Sequence, residues 1–114
     1  MQIENKEIGA VVAVEVLEKR LDARVAADFK AYMLGLIEGG HQLIALDLSA
    51  VEFVDSSGIG AIISSLKALG RRGDITICVA GDAVRQMFSL TRMDKVFRVF
   101  ADQGGAVAAL RDAG

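Results

Sequence analysis

Apolar positions fall in short blocks along this chain, and the spacing inside each block says which element it builds. Residues 2–8 alternate weakly between apolar and polar, which predicts a first strand at a sheet edge. Val11, Val12, Val14, Val16 and Leu17 are rich in β-branched side chains and predict a stronger second strand, closed by Lys19 to Asp22. From about Arg24 to Glu38 the period changes. Val25, Phe29, Met33 and Leu36-Ile37 recur at helical spacing and form one apolar face, with Gly39-Gly40 as a C-terminal stop. Leu43 to Leu48 is almost continuously apolar, as a strand covered on both faces reads. A second helix is predicted from about Ser57 to Leu69, burying Ile59, Ile62, Ile63, Leu66 and Leu69. Gly70 ends it and Arg71-Arg72-Gly73-Asp74 turns the chain. Ile75 to Ala80 predicts another covered strand, Ala83 to Leu90 a third helix with Asp82 as candidate N-cap, Val96 to Phe100 a last strand, and Gly105 to Asp112 a final short helix.

After the opening strand pair, strands and helices alternate in the order β-β-α-β-α-β-α-β-α. That pattern predicts one α/β domain over residues 1–114, with a mixed, largely parallel sheet of four or five strands and about four helices. Open sheets of this kind carry their sites beyond the carboxyl ends of the strands.

The length of 114 residues suffices for a core without disulfides or metal, and the chain carries only one cysteine. A net charge of −2 and scattered basic residues, Arg71-Arg72 being the largest cluster, argue against a nucleic-acid surface. Glu4, Lys6 and Glu7 precede the first apolar run, so no signal peptide is predicted. The longest apolar stretch, Gly9 to Leu17, is broken by Glu15 and is too short to span a bilayer. The expectation is a cytoplasmic protein with no direct membrane insertion, no cofactor and no metal.

Candidate chemistry concentrates in Asp47 to Gly60, where a covered strand runs into a loop and an Asp55-Ser56-Ser57-Gly58 turn opens a helix. Ser56 or Ser57 can cap that helix through its hydroxyl. Alternatively, a serine there can be a switch: a phosphate would add about −1.5 to −2 of charge and meet free N–H groups at the helix mouth. Gly58 is expected to permit a sharp turn and close approach of another protein. A hydrolase is disfavoured. There is no Gly-x-Ser-x-Gly elbow, and the single histidine, His41, begins the third strand at the opposite end of the sheet. Gly58-Ile59-Gly60 lacks the remaining glycine and lysine of a phosphate-binding loop, so nucleotide binding is not expected. Asp22 can cap the first helix, contact a partner or orient the serine loop. Cys78 reads as a small core residue, and Met87, Phe88, Leu90 and Met93 as an apolar set that is mostly core.

The order of elements and the run Asp47-Leu48-Ser49 through Asp55-Ser56-Ser57-Gly58-Ile59-Gly60 resemble the STAS family, specifically its stand-alone bacterial anti-sigma factor antagonists. Supporting matches are Leu21-Asp22, Ile75 to Ala80, and Val84-Arg85-Gln86-Met87-Phe88. The resemblance implies a non-enzymatic regulator of transcription that works by partner switching. Its implied partners are an anti-sigma factor, which is a GHKL-type serine kinase, and a PPM-type phosphatase. The implied phosphoacceptor is Ser56; Asp22, Asp55, Ser57, Gly58 and Met87 are implied to contact the partner. One departure stands out: where relatives carry glycine and an acidic residue before the Leu-Asp pair, this chain has Lys19-Arg20. A second role the family allows is a subunit of a larger assembly, such as a lipid-transport ABC complex or a stressosome-like particle, with the serine turn as a permanent interface.

Overall fold

A computed structural model describes residues 1–113. Its strands are β1 (Ile3–Ile8), β2 (Val11–Val16), β3 (Arg20–Leu21), β4 (Leu43–Asp47), β5 (Phe53–Val54), β6 (Asp74–Cys78) and β7 (Val99–Phe100). Its α-helices are α1 (Ala26–Glu38), α2 (Ser56–Leu69), α3 (Asp82–Leu90) and α4 (Gln103–Ala113). The main sheet has five strands in the order β1-β2-β4-β6-β7. β1 lies antiparallel at one edge and every other pairing in it is parallel, the mixed, mostly parallel sheet that the alternation predicts. The β1–β2 hairpin turns at Gly9, whose φ of 62° suits glycine.

Alternation along β2 explains the apolar run of the second strand. Val12, Val14 and Val16 face one core with Phe29 and Met33 of α1 and Ile62 of α2. Val11 and Ala13 face a second core with Ala45, Cys78 and, on α4, Ala106 and Leu110. Both faces of β4 and β6 are therefore covered, as their composition requires. The second core uses small residues on the sheet, which lets α4 sit close. Thr76 secures it there, its hydroxyl donating to the Ala106 carbonyl at 2.8 Å. Cys78 is 1% exposed, the small core residue that its neighbours indicate.

Several boundaries differ from the sequence reading. The helix predicted from Arg24 starts at Ala26, and Asp22 is not its N-cap: Val25 holds that position without a side-chain bond. Asp22 organises the turn before it instead, its carbonyl accepting the N–H groups of Val25 and Ala26. Asp82 is the first residue of α3 and not its cap, a position held by Gly81. The last strand shrinks to Val99–Phe100, because Met93–Lys95 form a 3-10 turn and Val96 is 51% exposed. Ile59, Ile62 and Leu69 are buried as expected, while Ile63 and Leu66 are half-buried. Phe88 is buried, Met87 and Met93 are half-buried, and Leu90 is 82% exposed.

One element was not anticipated at all. β3 and β5 form a separate parallel ladder, pairing Arg20 with Phe53 and Leu21 with Val54. Its strands are too short to carry a period. Its consequence is large, because it brings residues 20–24 against the turn at 55–58.

Candidate functional site

The turn is built from β5 outward. Asp55, in extended backbone, is the N-cap of α2: its Oδ1 accepts the Gly58 N–H at 3.0 Å. The expected serine cap is thus corrected. The aspartate one residue earlier holds the cap because it is also tied down from the other side. Its Oδ2 accepts the Ala23 N–H at 3.2 Å, and its own N–H donates to the Leu21 carbonyl at 3.3 Å. Ser56 and Ser57, the first two residues of α2, are both exposed.

Gly58 is buried, and its φ is not positive. A Cβ there would lie 2.3 Å from the Leu21 carbonyl oxygen and 3.0 Å from Val54 Cγ1. The glycine therefore admits the end of β3, and with it the loop that follows, where the sequence suggested room for another protein.

That loop supplies the charge around the turn. The Asp22 side chain is 12% exposed. Its Oδ1 accepts the Arg24 N–H at 3.1 Å and its Oδ2 accepts Arg20 Nε at 3.2 Å. Burial raises the Asp22 carboxyl, but the Arg20 hydrogen bond, the Arg24 N–H and the two guanidinium charges outweigh it and hold it below the usual value. Arg20 also stacks over the Phe53 ring, 4.2 Å from its centroid, and Phe53 is 41% exposed. An open groove of about 570 Å³ continues from the loop, lined by Leu17, Lys19, Arg20, Asp22 and Arg24 among others.

The structure thus brings Asp22, Asp55, Ser56, Ser57 and Gly58 together. Met87 belongs to α3, which packs beside β5, the strand leading into the turn. Phe53 was not singled out from sequence; its signal was an aromatic residue two positions before Asp55, in a stretch read as loop. His41 lies at the other end of β4, its Nε2 3.8 Å from Glu7 Oε1, away from the serines as expected. Among the described residues, no group of three or more His, Cys, Asp or Glu could hold a metal ion. Among them, too, no helix is long and apolar enough to cross a membrane.

Residues 2–106 match the family model described as the STAS domain. The chain belongs to the STAS family. This STAS domain is 26% identical over 100 residues to the anti-sigma-F factor antagonist RsfB of Mycobacterium tuberculosis, covering 88% of this chain and 82% of that protein. The crystal structure of an anti-sigma factor antagonist from Mycobacterium paratuberculosis superposes with a TM-score of 0.87 at 25% identity, covering 96% of this chain and 95% of the other. An anti-sigma-factor antagonist (STAS) domain protein from Planctomyces limnophilus shares the fold, with a TM-score of 0.83 at 19% identity over 95% of this chain and 96% of that one.

Proposed function

We propose that this STAS domain is an anti-sigma factor antagonist switched by phosphorylation of Ser56. In its unmodified form it binds an anti-sigma factor that is also a GHKL-type serine kinase, in the cytoplasm, and so frees a sigma factor. The carrying observation is the exposed Ser56 at the first position of α2, in a turn whose cap is supplied by Asp55. The hydroxyl can be modified without unmaking the cap. In the transfer, Ser56 Oγ forms a bond to the γ-phosphorus of ATP, the hydroxyl proton leaves, and the bond to ADP breaks. A PPM-type phosphatase hydrolyses the ester and restores the hydroxyl.

The physical argument for switching is an asymmetry between fold and interface. At the first turn of α2 the phosphate meets backbone N–H groups and the positive end of the helix, so the fold tolerates it. A partner packed over the same face would bury a dianion beside Asp55, which is costly. The antagonist role also fits the names its relatives carry. Asp22, Asp55, Ser57 and Met87 serve as contacts, and the buried Gly58 serves by holding the turn.

Incubation with the cognate kinase and Mg-ATP tests the reading. Intact-mass measurement should show one added phosphate in the wild type and none in Ser56→Ala. Ser56→Asp should weaken binding to the kinase while leaving the melting temperature roughly unchanged. A phosphate found on Ser57, or an unmodified wild type, would overturn it.

A further inference from the structure

The loop facing the serine turn carries more donors than its own carboxylate can use. Arg20 Nε and Arg24 Nε lie 3.2 Å and 3.8 Å from the same Asp22 oxygen. The other Asp22 oxygen is taken by a backbone N–H. Each guanidinium has five N–H donors, so most of them face solvent. The side chains are 53% and 82% exposed respectively, against 12% for Asp22. This loop is also fastened to the turn: Ala23 donates to Asp55 Oδ2 and Leu21 accepts from the Asp55 N–H. Two arginines therefore flank a segment in hydrogen-bond contact with the residue before Ser56.

We propose that Arg20 and Arg24 form a guanidinium clamp for the phosphate of phosphorylated Ser56. This rests on the reading that Ser56 is modified, and adds what holds the product. A phosphate dianion presents more acceptor oxygens than a carboxylate and suits the planar fork of arginine. Lys19, Arg20 and Arg24 stand here against Asp22, Asp55, Glu18, which lines the same groove, and Glu52, whose N–H donates to the Lys19 carbonyl, three positive groups against four negative. The phosphate adds about −1.5 to −2 to that patch, so the two guanidiniums must act by direct contact with it and not through a net positive field. Asp22 and Asp55 repel the phosphate, so the clamp competes with both. Drawing Arg20 to the phosphate also uncovers the Phe53 ring, and the modification then alters the shape of this face as well as its charge.

The test uses the full chain with phosphoserine installed at position 56 during synthesis, so that no kinase is involved. Phosphorus NMR follows the second ionisation of the phosphate. In the parent chain it should fall below the about 6 of free phosphoserine. Arg20→Gln with Arg24→Gln should raise it by about half a unit or more, roughly threefold in proton affinity. Arg24→Gln alone, which keeps the Arg20–Phe53 stack, should give part of that rise. Arg71→Gln with Arg72→Gln, beyond the far end of α2 and about 20 Å away, should give none. The α2 N–H groups are common to every variant, so differences report the arginines, and circular dichroism checks the fold. A double variant that titrates like the parent would overturn the clamp. Failure of the kinase to modify Ser56 would overturn the proposed function and leave this outcome standing.

Discussion

Two aspartate–serine turns leave the carboxyl ends of strands in this domain, and they treat their hydroxyls in opposite ways. After β4, Asp47 Oδ1 accepts both the N–H and the hydroxyl of Ser49, the N–H at 2.9 Å. Its Oδ2 accepts from Gln103 of α4 at 3.0 Å, and Gln103 reaches Glu15 of β2 as well. After β5, Asp55 gives both oxygens to backbone N–H groups, those of Gly58 and Ala23. The first carboxylate ties its serine down and the second leaves its serines out. A two-residue spacing lets an aspartate close an Asx turn onto the serine, whereas an adjacent serine at a helix start points away from the cap. A hydroxyl's availability is decided by what else its neighbouring carboxylate must satisfy.

Substitutions can break this contrast, and the largest effect is expected at Gly58. Gly58→Ala forces a Cβ into the Leu21 carbonyl, which is backbone and cannot rotate away, and should destabilise by about 2–4 kcal/mol in urea unfolding. A loss under about 0.5 kcal/mol would mean that the two loops are not locked together. Next comes Asp55→Ala, which removes a cap and the tether to Ala23. It should cost about 1–2 kcal/mol by the same measurement.

The pH dependence of melting sharpens the comparison from both sides. Burial raises the Asp47 carboxyl, but the Ser49 hydroxyl and N–H, Cys78 and Gln103 together hold it below its usual 3.8. Asp22 is lowered too. With folded values depressed, the unfolded chain binds protons first, so this stability is present above 3.8 and lost as pH falls below it. Asp47→Asn should flatten the acid limb. Cys78 has the opposite sign in its consequence. Burial, then the neighbouring Asp47, push its thiol from 9.0 up to about 12. The unfolded thiol ionises first, so stability should fall as pH rises from 9.0 towards about 12, and Cys78→Ala should flatten that limb. The smallest effects belong to the serines. Ser49→Ala should cost about 1 kcal/mol for its hydrogen bond, and Ser56→Ala should stay within about 0.5 kcal/mol. Equal losses at the two positions would erase the contrast.

Much of this was legible in the chain. Covered strands announce themselves as runs such as Leu43 to Leu48, since both faces must be apolar when helices cover both. Ser56 was legible as a candidate only through the family resemblance, because a pair of serines before a helix is by itself an ordinary capping signal. The β3–β5 ladder was not, because Arg20-Leu21 and Phe53-Val54 are each a single alternation. Nor was the identity of the cap. Asp, Ser and Ser in succession are all good caps by type, and only the Ala23 N–H, 32 residues upstream, selects Asp55.

The sequence by itself determined the order of elements, the covered strands and the place of the serine turn, because hydrophobic period and turn chemistry are local properties. Tertiary structure alone decided which residue caps α2, why position 58 must be glycine, and that the segment from Arg20 to Arg24 is fastened to the residue before Ser56. Those depend on two distant loops meeting, and no local pattern records the partner a backbone N–H will find.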